Sequence, residues 1–227
     1  MADAPLALLG GTFDPVHYGH LRLADDVQRA LDLPDLRLVP TGDPPHRGVP
    51  HASAARRVAM LELARREFTG LGIDTREVAR GGKSYTVQTL ESLRAEFPER
   101  PLAWIVGADA FLGLSSWHRW RELFDLAHLI VVGRPGVDNR LALPATLASE
   151  WSARLTTDPA ALRAALAGAI YRQDVTPQPM SATAIRAALA QGAAGFASVR
   201  GLLPDRVLAY IGCYGLYGAQ TSPQDAT

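Results

Sequence analysis

LALLGGTFDPVHYGH, residues 6–20, begins with an apolar run, passes through Gly10 and Gly11, and leads by way of Asp14-Pro15 to two histidines three positions apart. An apolar run closed by a glycine pair reads as a buried strand ending in a turn, and the residues after Val16 read as the start of a helix. Such a junction places free backbone N–H groups at the carboxyl edge of a sheet, where the helix dipole favours an anion. The spacing fits neither GxxxxGK[ST] nor GxGxxG, so the P-loop and the dinucleotide fingerprint are both excluded. With a helix beginning near Val16, His17 and His20 fall on one face of its first turn. Imidazole N–H groups there suit phosphoryl oxygens without a full charge. A pair of surface histidines, or one histidine capping the helix, fits the same spacing. A histidine metal site would need a third ligand.

Working outward, short apolar runs recur at 36–40 (LRLVP), 102–107 (LAWIVG), 128–133 (HLIVVG) and 169–175 (AIYRQDV), and 72–78 (GIDTREV) alternates like a further strand. Helical patterns separate them. Leu21, Ala24, Val27 or Gln28, and Leu31 share one face; Ser53 is placed to cap the helical pattern ARRVAMLELARREF of 55–68; TVQTLESLRAEF ends before Pro98. Strands alternating with helices, and too apolar to leave a face wet, predict a Rossmann-like, doubly wound parallel sheet with helices on both faces. Residues 41–50, TGDPPHRGVP, are a Gly/Pro loop, and about 134–158 have weak periodicity, reading as a connection or irregular helices. One domain is expected over 1–218, its last helices from about 181 completing the ligand edge, with a frayed tail at 219–227.

The whole composition narrows the function classes. Lys+Arg and Asp+Glu both total 23, giving a net charge of zero. That argues against a general nucleic-acid or anionic-membrane binder. Cys213 is the one cysteine of the chain, so no intrachain disulfide can form. No run approaches the roughly 18–20 apolar residues of a spanning helix, and no secretory signal is visible at the N-terminus. A soluble, cytoplasmic protein is expected, with self-association into a homo-oligomer left open.

Further segments carry anion or ring chemistry. SATAIRAAL (181–189) reads as a helix capped by Ser181, with Thr183 and Arg186 on its first turns. Arginine offers a planar fork that can donate two parallel bonds to phosphate, although a capped helix with a solvated arginine fits the spacing as well. PPHR (44–47) lies in a loop stiffened by prolines, where His46 and Arg47 are ordinarily solvated. Tyr85 and Thr86 open a helix whose first N–H groups are free for a carboxylate. Trp117 offers a flat face to an electron-poor ring, or packs in the core, which is also the reading for the neighbouring Trp120. Asp109 follows the strand of 102–107, where a carboxylate can accept from ribose hydroxyls or cap the next turn.

Taken in order, GGTFDPVHYGH, PPHR, SYT (84–86), GAD (107–109), the tryptophan of SSW, SATAIR (181–186) and the closing LPDRVLAYI…LY resemble the HxGH nucleotidyltransferase superfamily and, within it, the bacterial nicotinate mononucleotide adenylyltransferases, over 6 to about 218. The resemblance implies transfer of the adenylyl group of ATP to nicotinate mononucleotide, giving deamido-NAD and pyrophosphate in NAD biosynthesis. It implies that Gly10, Gly11, Thr12, Phe13, His17, His20, Gly107, Asp109, Arg134, Ser181, Thr183 and Arg186 contact ATP, with His17, His20 and Arg186 catalytic. It also implies that His46, Arg47, Tyr85, Thr86 and Trp117 bind nicotinate mononucleotide. Mg²⁺ is expected to ride on the ATP phosphates, with no dedicated protein metal site. Residues 41–43, TGD, depart from the Asn-containing segment common before PPHR. Competing readings are a transferase acting on phosphopantetheine, ribityl or glycerol phosphates, a nucleotide sensor without catalysis, and a metal-dependent hydrolase.

Overall fold

The computed structural model describes residues 4–44, 48–68, 70–133, 143–176 and 178–219. Its seven strands are β1 (Leu6–Gly11), β2 (Asp35–Pro40), β3 (Leu71–Ile73), β4 (Leu102–Gly107), β5 (His128–Gly133), β6 (Leu155–Thr156) and β7 (Ile170–Asp174). They form one sheet in the order β3-β2-β1-β4-β5-β7-β6. Every pairing is parallel. The chain therefore starts mid-sheet and winds outward twice, first to β3 and then to the β6 edge. The Rossmann-like doubly wound fold read from the alternation is the observed one.

Side chains alternate between two apolar layers, as strand geometry requires. Ala7, Leu9, Leu36, Leu38, Ala103, Ile105, Ile130 and Val132 face one layer. Leu6, Leu8, Leu102, Trp104, Val106, Leu129 and Val131 face the other. The first layer is closed by α1 (Tyr18–Ala30), α2 (Ala54–Ala64), α9 (Ala182–Leu189), α10 (Ala193–Ser198) and α11 (Asp205–Cys213), whose apolar stripes include Leu21, Ala24, Val27, Met60, Ile185, Phe196 and Val207. The second is closed by α4 (Thr86–Glu96), α5 (Ala108–Leu112), α6 (Leu123–Leu126) and α7 (Ala145–Arg154), through Val87, Leu90, Phe111, Phe124, Leu147 and Trp151. Each fully buried aliphatic side chain contributes about 1.5–3 kcal/mol, so both layers are needed to hold the sheet. Trp120 is buried in the second layer, as its core reading requires, whereas Trp117 only packs against it.

Two readings need correction. The alternation at 72–78 is a strand only as far as Ile73; Thr75 then starts α3 (Arg76–Arg80). Asp74 accepts from the Arg76 N–H, and Glu77 turns inward to accept from Thr89 Oγ1 at 2.7 Å. The polar members of the pattern thus make local bonds instead of lining a wet strand face. Within 134–158, a regular helix, α7, is present; its buried stripe is only Leu147 and Trp151, too narrow to register as periodicity. Helix α8 (Ala161–Ala164) is a single turn that contributes Leu162 to the first layer.

Because all strands are parallel and near register, with Gly11 opposite Pro40, Gly107 opposite Val132 and Gly133 opposite Asp174, their carboxyl ends share one edge. That edge receives the turn of 12–17, the segments after β2 and β4, and, a few residues beyond β7, the start of α9.

Candidate functional site

Gly10 and Gly11 are explained by space. A Cβ on Gly10 would lie 2.4 Å from Trp104 Cζ2, and one on Gly11 would lie 2.9 Å from the Phe13 ring. Phe13 takes a positive φ of 49°, and the Asp14-Pro15 bond is cis. Six residues separate the end of β1 at Gly11 from the start of α1 at Tyr18.

His17 does not lie in the first turn of that helix. It is the N-cap, with extended backbone (φ −146°, ψ 168°), and α1 begins at Tyr18. The imidazole replaces the usual small capping side chain: its Nδ1 accepts from the Gly19 N–H at 3.1 Å. A Cβ on residue 19 would stand 2.8 Å from that Nδ1, which accounts for Gly19. His20 nevertheless meets His17, their rings stacked at 3.8 Å and 28°, and the edge of Phe13 packs against His20 at 5.1 Å. The two imidazoles come together as the i, i+3 spacing proposed, but by a cap and a first turn instead of one helical face.

With Nδ1 accepting, the proton of neutral His17 sits on Nε2, leaving that N–H as a donor. Burial holds the His17 pKa down to about 4, so the ring is neutral at pH 7. Since the folded pKa is depressed, stability from this residue is full above about pH 6.5 and is lost as pH falls toward 4. His17→Asn keeps an N-cap acceptor but removes the titration. Chemical denaturation of the two proteins between pH 7 and pH 4 is expected to show a shallower loss for the variant. Equal slopes would mean that His17 is not buried neutral. His128, also lowered by burial, contributes to both slopes and cancels in the comparison.

Helix α9 arrives at the same turn. Ser181 caps it, accepting from the Ala184 N–H at 3.2 Å. Arg186 donates from Nη1 to the Asp14 carbonyl at 2.7 Å and from Nη2 to Thr183 Oγ1 at 3.4 Å. The Gly19 N–H also reaches Met180 Sδ at 3.1 Å. Two helix N-termini, an imidazole pair and a guanidinium therefore converge around residues 12–20, which suits a polyphosphate.

On the other side of the turn, Gly42 after β2 donates its N–H to Ser84 Oγ at 2.8 Å, the Asp43 N–H bonds the Gly82 carbonyl, and the Ser84 N–H bonds the Asp43 carbonyl. These bonds tie the loop after β2 to the start of α4, where Tyr85 is the N-cap and Thr86 the first helical residue. The His118 ring packs against Tyr85, tilted by 41° with centroids 4.5 Å apart, which brings the segment carrying Trp117 to that helix start. Trp117 is half-buried, with one part against the core and one part open. Asp109 is exposed in the first turn of α5, whose N-cap is Gly107, at the carboxyl end of β4. It shares the carboxyl edge of the sheet with the imidazoles. His46, Arg47 and Arg134, assigned from the sequence to the substrates, lie outside the described residues. Among the described residues, no group of three or more His, Cys, Asp or Glu side chains is placed to hold a metal ion, and no helix is long and apolar enough to cross a membrane.

Several site residues were not read from the sequence. Asp14, 4 % exposed, accepts from the His51 and Ala52 N–H groups and from the Tyr217 hydroxyl at 2.7 Å. Tyr217 has a positive φ of 62° and burial raises its phenol pKa, so it serves as a neutral donor latching the chain's end to the turn. Arg57, 1 % exposed, lies beneath them. A signal for Arg57 existed: it shares the face of α2 that buries Met60, Leu61 and Ala64, and an arginine on an apolar stripe needs partners inside.

Comparison with known proteins places this arrangement. Residues 8–188 match the family model described as cytidylyltransferase-like. A Halorhodospira halophila protein named "Probable nicotinate-nucleotide adenylyltransferase" is 48 % identical over 213 residues, covering 94 % of this chain and 95 % of that one. A Dechloromonas aromatica protein of the same name is 48 % identical over 215 residues, covering 94 % and 97 %. Among solved structures, the nicotinic acid mononucleotide adenylyltransferase of Plasmodium falciparum, complexed with NaAD, superposes with a TM-score of 0.72 at 14 % identity, covering 95 % of this chain and 98 % of that one. At that identity the likeness is one of fold.

Proposed function

Since the chain belongs to the cytidylyltransferase-like family and to the family of the nicotinate-nucleotide adenylyltransferases, we propose that it transfers the adenylyl group of ATP to nicotinate mononucleotide, releasing pyrophosphate, as a cytoplasmic enzyme of NAD biosynthesis. The observation that carries this reading is the meeting of the stacked His17–His20 pair with Arg186 at one turn. A phosphate oxygen of the acceptor attacks the α-phosphorus in line, the bond to the β-bridging oxygen breaks, and pyrophosphate leaves. The acceptor phosphate is already ionised at neutral pH, so the protein's work is positioning and charge stabilisation. His20 donates to the α-phosphate as charge shifts, with the His17 Nε2–H beside it and the N–H groups of 10–13 around the phosphates. Ser181, Thr183 and Arg186 hold the β- and γ-phosphates. Asp109 accepts from ribose, and Arg134 lies against adenine. Mg²⁺ enters as part of the MgATP substrate. Hydroxyl, imidazole and guanidinium donors are partners for phosphate oxygens, which fits an ion held by those oxygens and its own waters.

The acceptor lies toward Tyr85, Thr86 and Trp117, with His46 and Arg47 at its phosphate. The first N–H groups of α4 face a carboxylate better than an amide, whose NH₂ would find donors where it needs an acceptor. Trp117 stacks on the pyridinium ring. Trp117→Ala is accordingly expected to raise the KM for nicotinate mononucleotide about tenfold, in keeping with a stacking contact of about 1 kcal/mol or more, and to leave the KM for ATP unchanged. Equal rises for both would remove Trp117 from the acceptor pocket. The activity itself is tested with a panel of acceptors: nicotinate mononucleotide should support pyrophosphate release while phosphopantetheine and glycerol phosphate do not. A preference for either of those would replace this reading with that of a sister transferase.

A further inference from the structure

Arg57 lies outside the groups assigned above to either substrate, yet it is the largest fully buried side chain of the described protein. Its guanidinium donates from all three nitrogens to backbone carbonyls. Nη1 donates to Thr12 O at 2.8 Å, Nη2 to Gly42 O at 3.0 Å, and Nε to Ala52 O at 3.2 Å. Thr12 belongs to the turn assigned to ATP. Gly42 belongs to the loop tied through Ser84 Oγ to the helix start assigned to the acceptor. Ala52 precedes the cap of α2, the helix that carries Arg57 itself.

We propose that Arg57 is a positioning residue that fixes the ATP turn and the acceptor loop at one separation, by holding Thr12 O and Gly42 O on the two arms of a single guanidinium. The inference rests on the adenylyl-transfer reading given above. In-line transfer needs the acceptor oxygen and the α-phosphorus to approach along one axis, and a misplacement of about 1 Å from a residue remote from the chemistry can cost roughly 10²-fold in rate. A rigid planar fork suits this task. Its two arms are set by covalent geometry, so two loops bound to it cannot drift independently. Lysine carries the same charge on a similar stem, but presents one point donor and cannot span both carbonyls in the same way. Gly42 offers no slack of its own, because a Cβ there would lie 2.8 Å from the Glu77 carbonyl. The loop is therefore pressed against α3 on one side and drawn to Arg57 on the other.

Positioning between two loops has a signature that plain destabilisation lacks. Each loop still binds its own substrate when the tie is cut, and only their mutual alignment suffers. For Arg57→Lys, calorimetric affinities for a non-hydrolysable ATP analogue alone and for nicotinate mononucleotide alone are expected to match those of the wild type. The kcat, expressed per site titrated by the analogue, is expected to fall about 10- to 100-fold. A kcat close to that of the wild type would overturn the proposal. So would a loss matched by weaker binding of either substrate by itself. Should Arg57→Lys fail to fold, Arg57→Gln decides the matter, since its amide NH₂ can serve one of the two carbonyls but cannot span both: a lowered kcat with both affinities kept supports the proposal, and an unchanged kcat overturns it. Wild type assayed in parallel separates the two levels of the claim. An active wild type with an equally active Arg57→Lys sinks the positioning role alone, whereas a wild type inert with ATP and nicotinate mononucleotide removes the adenylyl-transfer reading and this proposal with it.

Discussion

Replacing His20 by alanine is expected to lower kcat by roughly 10²-fold or more, the range for loss of one transition-state donor, with little change in stability. The residue sits in the first turn of α1, where alanine is a good helix former, and its ring is only half-buried, making one face contact to His17 and one edge contact to Phe13. ATP affinity should fall far less than kcat, because the donor acts most strongly where charge develops on the α-phosphate. Single-turnover formation of the dinucleotide, measured beside thermal unfolding, checks both halves. A kcat equal to that of the wild type would take His20 out of the chemistry and leave the imidazole pair as a capping device.

Arg186→Lys is the second substitution with a large expected effect, a fall of about 10²-fold in kcat/KM for ATP, in line with the roughly 2–5 kcal/mol typical for truncating a hydrogen-bonded charge in a binding site. Arg186 spends Nη1 on the Asp14 carbonyl and leans Nη2 toward Thr183. That anchoring holds the guanidinium at the turn that leads into the imidazole pair. A lysine ammonium can serve the carbonyl or the phosphate, not both in the same geometry. The KM for nicotinate mononucleotide should stay near that of the wild type. If instead the acceptor KM rose and ATP kinetics held, α9 would belong to the acceptor side and the division of the site would be reversed.

Much of this fold was legible because its signals were local and redundant. Strands β1, β4 and β5 are buried on both faces, so their sequences are unbroken apolar runs, and glycines mark where they end. Ser53 and Ser181 both proved to be caps, through the bonds that their position ahead of an apolar stripe foretold. Helix α7 and the two-residue β6 were not legible, since one buries two side chains and the other has no room for a period. The 72–78 segment misled for a different reason: Asp74 and Glu77 satisfy local and inward bonds, so an alternating pattern did not report alternating faces.

The site divides the same way. His17, His20, Ser181 and Arg186 stood inside recognisable spacings, and the structure brings them to one turn. The supporting residues did not announce themselves, because Asp14, Arg57 and Tyr217 bond to groups 15 to 203 positions away in the chain, and long-range partners leave no short spacing to read. The N-cap role of His17 was obscured for a simpler reason. Imidazole is an uncommon cap, and its Nδ1 turns back on Gly19 only in the folded chain.

The most direct test of the central claim is pyrophosphate release with ATP and Mg²⁺, assayed side by side with nicotinate mononucleotide and nicotinamide mononucleotide as acceptors. Strong preference for the acid, with deamido-NAD as the product, is the predicted result, because free N–H groups at the start of α4 favour a carboxylate. Equal use of the two would contradict the acceptor pocket described here, and release with neither would contradict the reaction itself.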